Sequence, residues 1–72
     1  MRFSDWLLGQ TLRQDVIGQL AREVKKDPTY PRATSRLWLI LHYYRSEPVN
    51  REAAKLAHAE WRNTSFNVSR SV

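Results

Sequence analysis

Three groups of residues in this chain have side chains able to do chemistry. The histidines are His42 and His58, and the sequence has no cysteine. Neither histidine has a nucleophile and a carboxylate at a spacing that would build an acyl-transfer centre. A zinc site needs further ligands at helical or loop spacing, and none is present. Both histidines therefore read as ordinary surface or boundary residues. The second group is basic. Arg22, Lys25 and Lys26 recur at i, i+3 and i+4, and Arg32 and Arg36 follow shortly after. Such a cluster could grip a phosphate backbone in a salt-sensitive way. It could equally be a solvated helix face, because Glu23 and Asp27 dilute it and cations suit a helix C-terminus. The third group is apolar and aromatic: Trp38, Leu39 and Tyr43. Side chains of this kind anchor protein interfaces, and they also build cores.

The composition sets limits around these groups. The chain has 72 residues, enough for one small domain, and its formal net charge is +5. A domain of this length buries only about 60% of its unfolded surface. With no disulfide to help, aromatic bulk must carry stability: three Trp, three Tyr and two Phe. The positive excess is concentrated in residues 20–36, which contribute +3. The longest apolar run, Leu37 to Leu41, is far short of the roughly 18 residues of a membrane span and is not placed as a signal peptide. The expectation is a soluble cytoplasmic protein without cofactor, metal or small-molecule substrate.

Positioning these residues requires helices. Asp15 to Pro31 reads as the most complete element and the organising one. Asp15 caps it, Ile17, Leu20, Ala21 and Val24 form one stripe, and Asp27-Pro28 ends it. Gly18 inside it is costly unless another backbone passes close by, which suggests a neighbouring helix. A two-turn helix precedes it from about Phe3, with Ser4 as N-cap and Trp6 as anchor. Thr11 to Gln14 connects the two. In the proline-bracketed loop Pro28 to Thr34, Tyr30-Pro31 should tuck a ring back on the core. A third helix is predicted over Ser35 to Ser46, capped by Thr34 or Ser35. It is apolar nearly all round, so part of it should meet solvent. Glu47-Pro48-Val49 reads as a break. Asn50 then caps a fourth helix, Arg51 to Arg62, whose inner face is Ala53, Leu56, Ala57, Glu60 and Trp61. Asn63 ends it.

The order of these residues resembles the YozE SAM-like family of small bacterial proteins. The match is Phe3…Trp6-Leu7, then Asp15-x-Ile17-Gly18-x-Leu20-Ala21, then Asp27-x-x-Tyr30-Pro31, then Ile40…Tyr43 and an alanine-rich last helix ending in Trp61. It covers roughly residues 3 to 62. The resemblance implies a compact four-helix domain like the sterile alpha motif and implies little about activity. The chain departs from the family around the third helix, where Arg36 and Leu37-Trp38-Leu39 stand in place of acidic residues.

The expected fold is all-α: a SAM-like four-helix domain over residues 1–63 with a flexible tail over 64–72. Its expected core is Trp6, Ile17, Leu20, Val24, Ile40, Leu41, Ala57 and Trp61. The leading functional expectation is a non-enzymatic module that binds a protein, or a second copy of itself, through Trp38, Leu39 and Tyr43. The competing one is a DNA- or RNA-binding protein using Arg22, Lys25, Lys26, Arg32 and Arg36.

Overall fold

The periodic segments form four helices: α1 Phe3–Leu8, α2 Val16–Lys26, α3 Leu37–Tyr43 and α4 Pro48–Asn67. The computed structural model describes residues 1–67, and among them there is no strand. Residues 68–72, the end of the expected tail, lie outside the described part. The chain is a small all-α domain. No helix among the described residues is long and apolar enough to cross a membrane.

Helix α2 follows its sequence signals. The Asp15 carboxylate accepts a 3.0 Å bond from the Gly18 amide, closing the first turn. Ile17, Leu20, Ala21 and Val24 are buried on one stripe. The organising element is nevertheless α4, which packs against α1, α2 and α3, while α1 packs also on α2. Its alanines explain this. Ala53, Ala54 and Ala57 are buried and let three neighbours approach one helix closely. The inner face of α4 is thus Ala53, Ala54, Ala57 and His58, with Trp61 half-buried at its end. Leu56, expected on that face, is 55% exposed. A leucine at the contact would hold the helices apart, so the helix turns its small residues inward.

Three other boundaries differ from the sequence expectation. Pro48 does not break the chain but is the first residue of α4. A proline fits there because its missing N–H is one that no helical carbonyl would accept. Asn50 is therefore inside the first turn, where its amide donates to Glu47 at 2.7 Å. The helix also runs past Arg62 to Asn67, so residues 64–67 are helical, not tail. Helix α3 is shorter than expected, because after Tyr44 the amides bond three residues back (Arg45 to His42, Glu47 to Tyr44) and lead into Pro48.

Of the three hydroxyls expected to cap helices, those of Ser4 and Ser35 act across the fold and not locally. Ser4 is not an N-cap. It is buried, and its hydroxyl donates to the Arg32 carbonyl at 2.9 Å. Ser35 does not cap α3. Its hydroxyl accepts the Phe3 amide at 3.1 Å, supplying a partner for the start of α1. The Thr34 hydroxyl accepts from the Arg36 amide just before α3.

The core is centred on Phe3, Leu7, Leu20, Val24 and Ile40. Of the expected core, Ile17, Leu20, Val24, Ile40 and Ala57 are buried; Trp6, Leu41 and Trp61 are only half-buried against it. Phe3 is the anchor that Trp6 was expected to be. Its ring meets Trp6, His58 and Trp61 at centroid distances of 6.1, 5.4 and 5.7 Å. Tyr30 is buried against Tyr43 and Tyr44, as its place before Pro31 suggests. Gly18 does sit under another backbone, but that backbone is the α1–α2 connection at Arg13 and not a helix.

Candidate functional site

The outward side of α3 separates the three apolar residues that the sequence singles out. Leu39 and Tyr43, four residues apart, share a face and line one shallow apolar cleft of about 550 Å³ with Pro31, Ala33, Thr34, His42 and Arg45. Trp38 stands on the neighbouring stripe with His42 and is 64% exposed. The other two tryptophans pack against the core.

Tyr43 also has a structural task. Its hydroxyl donates to the Asp27 carboxylate, and the Thr29 hydroxyl lies 2.9 Å from it. Its ring stands edge-on to Tyr44 at 4.9 Å and to Tyr30 at 5.8 Å. The hydrogen bond to Asp27 pushes the Tyr43 hydroxyl above its ordinary pKa. Burial does the same, more strongly, for Tyr30 and Tyr44. Tyr43 thus fixes the cleft wall and pins the end of α2, while Trp38 makes no hydrogen bond or ring pairing among the described residues.

Within the α3 segment itself the charge has one sign, while the carboxylates of Asp27 and Glu47 flank Tyr43 from the neighbouring segments. From Arg32 to Ser46 the sequence carries three arginines and no carboxylate. Arg36 and Arg45 are exposed at either end of the helix.

The five basic residues of the phosphate-binding reading divide into two kinds. Arg22 is exposed, but its guanidinium donates to the carbonyls of Thr11 and Arg13, both at 2.8 Å. Arg32 is half-buried and donates to the Val24 carbonyl near the end of α2. These two tie loops to α2. Lys25, Lys26 and Arg36 are exposed and enter no ion pair among the described residues. The structure therefore brings together a smaller free basic surface than the sequence suggests.

His58 is not a surface residue. It is 7% exposed, and its Nε2 lies 2.8 Å from the Ser35 carbonyl. A carbonyl only accepts, so Nε2 carries the proton of that bond. The ring is edge-on to Trp61 at 5.2 Å. His58 thus ties α4 to the loop that also holds α1. His42 is exposed, as expected. Among the described residues no three His, Cys, Asp or Glu side chains group closely enough to hold a metal ion.

A second surface was missed by the sequence reading. Val16, Pro48, Val49, Glu52, Ala53 and Leu56 line an apolar groove of about 350 Å³ between the starts of α2 and α4. Val49 is 69% exposed and Val16 42%. The signal was present: Val49 and Leu56 lie seven residues apart, two turns along one face of α4.

No known protein family, characterised protein or solved structure matches the chain.

Two carboxylates near these surfaces are held below their ordinary pKa of 3.8. For Asp27 the Thr29 hydroxyl contributes most, followed by the Tyr43 hydroxyl and the Thr29 amide. For Asp15 it is the Gly18 amide, then the Arg13 guanidinium. Arg13 also reaches Glu60 at 2.6 Å, so it joins α4 to the cap of α2. That pair is partly exposed, and exposed pairs contribute at most about 1 kcal/mol. A carboxylate whose pKa is depressed by folding adds stability above its unfolded value and loses it as pH falls through the folded value. Denaturant midpoints should therefore hold between pH 7 and 5 as far as these groups are concerned, and decline below about pH 4. Asp27→Asn should lower the midpoint at pH 7 and flatten the acid decline. A variant whose midpoint falls as steeply as wild type between pH 5 and 3 would remove Asp27 from this account.

Proposed function

We propose that this chain is a small non-enzymatic interaction module that binds protein through the outward side of α3, with Trp38 as the anchor. The observation that carries the reading is Trp38 itself, an indole 64% exposed on a helix that is held to the core through Ile40. Tryptophan is among the residues that dominate interface energetics, and it needs an adjoining surface that excludes water. The Leu39–Tyr43 cleft supplies one. The spacing that resembles the YozE SAM-like family is consistent with a small four-helix module of this kind, and the lack of cysteine fits a reducing, cytoplasmic setting. The competing class, nucleic-acid binding, would have to rely on Lys25, Lys26 and Arg36, since Arg22 and Arg32 already bond to main-chain carbonyls.

One comparison separates the two. Capture of protein partners from a lysate should fall by about 30-fold in affinity for Trp38→Ala, the loss of a hot-spot side chain, and stay unchanged when Lys25, Lys26 and Arg36 become Glu. Labelled duplex and single-stranded DNA should show no binding at low salt. DNA binding that weakens steeply with salt and disappears in the triple charge variant would replace the protein-binding reading with the nucleic-acid one.

A further inference from the structure

We infer that the partner of the α3 face is a second copy of this chain, with Trp38 of one molecule seated in the Val16–Val49–Leu56 groove of the next. The inference rests on the reading of α3 as a protein-binding surface and goes further by naming what it binds. The two surfaces share no lining residue, so one molecule can present both at once.

Their charges are opposite. The groove holds Glu52 on its wall, and Glu23 and Glu47 line the depression that continues from Pro48 and Val49. Lys55 partly offsets this by pairing with Glu52 at 3.3 Å. Arg36 and Arg45 are exposed at the two ends of the helix that carries Trp38, and the nearby Asp27 carboxylate is taken up by the Tyr43 and Thr29 hydroxyls. Groove against groove would bring Glu47 and Glu52 of both copies into one interface, and α3 against α3 would do so for Arg36 and Arg45. Like charges across an interface disfavour both symmetric pairings. Groove against α3 matches apolar with apolar and acid with base. The groove leaves the apolar side chains of Val16, Val49 and Leu56 exposed, a surface that an exposed tryptophan would cover. A contact between two different surfaces is heterologous: each copy keeps one free acceptor and one free donor face, so association continues past two.

Sedimentation of the full chain tests this. Wild type should show an average mass that rises with concentration from the 8.5 kDa of one chain to beyond that of a dimer. Concentrations up to about 1 mM suffice, where even a contact of the transient class registers. Trp38→Glu alone and Leu56→Lys alone should each remain at the mass of one chain. Mixed in equal amounts they should form a dimer and no more, because one keeps its groove and the other its tryptophan. Both residues are exposed, so the fold should survive, with circular dichroism as the check and Val49→Lys as a second groove variant. A wild type that stays monomeric overturns the inference, and so does a mixture that fails to associate while wild type does. If wild type is monomeric yet Trp38→Ala still loses capture of another protein, the α3 reading stands and only self-association falls. If capture is also unaffected, both fall.

Discussion

Gly18→Ala is expected to lower the urea midpoint by roughly 2 M, a loss of about 3 kcal/mol. Intrinsic helix propensity argues the other way, since alanine gains about 1 kcal/mol over glycine inside a helix. Space decides the sign. A Cβ on Gly18 would lie 2.1 Å from the Arg13 carbonyl oxygen and 2.6 Å from its carbon. Those atoms are backbone and cannot rotate aside. The α1–α2 connection would have to move, and the same Arg13 carbonyl accepts from Arg22 while its side chain holds Asp15 and Glu60. The φ of Gly18 is not in the left-handed region, so the requirement is for room alone. A midpoint equal to or above wild type would show that the connection yields freely and would overturn this account.

Phe3→Ala should cost about 3–5 kcal/mol, the range for removing a buried aromatic ring. A chain of this length has about 4–10 kcal/mol in total, so the variant should sit near the edge of folding. Phe3 is fully buried and meets Trp6, His58 and Trp61, so truncation opens a cavity that three rings face. Phe3→Leu, which keeps most of the volume, should lose about 1 kcal/mol. Thermal melts of the two variants check the pair. A loss below 1 kcal/mol for Phe3→Ala would mean that the first helix does not stay docked in solution.

These two residues show how unevenly the sequence exposed the fold. The α2 helix was legible because all its signals are local: Asp15 before the first turn, a stripe at helical period, and Asp27-Pro28 at the end. The burial of Tyr30 was legible for the same reason. Ser4 and Ser35 were misread because a hydroxyl beside a helix start suggests a local cap, and nothing local reveals a partner 28 or 32 residues away. Pro48 is ambiguous by nature, ending one helix and suiting the first position of the next. The inner face of α4 turned on a competition between the bulk of Leu56 and the close approach that alanines allow, and only the neighbouring helices decide it. Among the surface residues, Trp38 met solvent, as the helix apolar on all sides required of some member. The basic cluster looked larger than it is because counting charges does not reveal that Arg22 and Arg32 already have carbonyl partners.

The central place of α4 has a consequence for how the protein is made. Translation delivers α1, α2 and α3 before the helix that all three pack against. Until it emerges, Phe3, Leu7, Leu20 and Ile40 have no alanine face to close over them, and His58 and Trp61 have not yet reached the first helix. The first and last helices pack together, and the Trp61 indole of α4 donates to the Met1 carbonyl just ahead of α1 at 3.3 Å. A nascent chain stopped at Glu47 therefore carries most of the core residues of the domain without the α4 face that covers them, a state in which chaperone capture or proteolysis competes with folding.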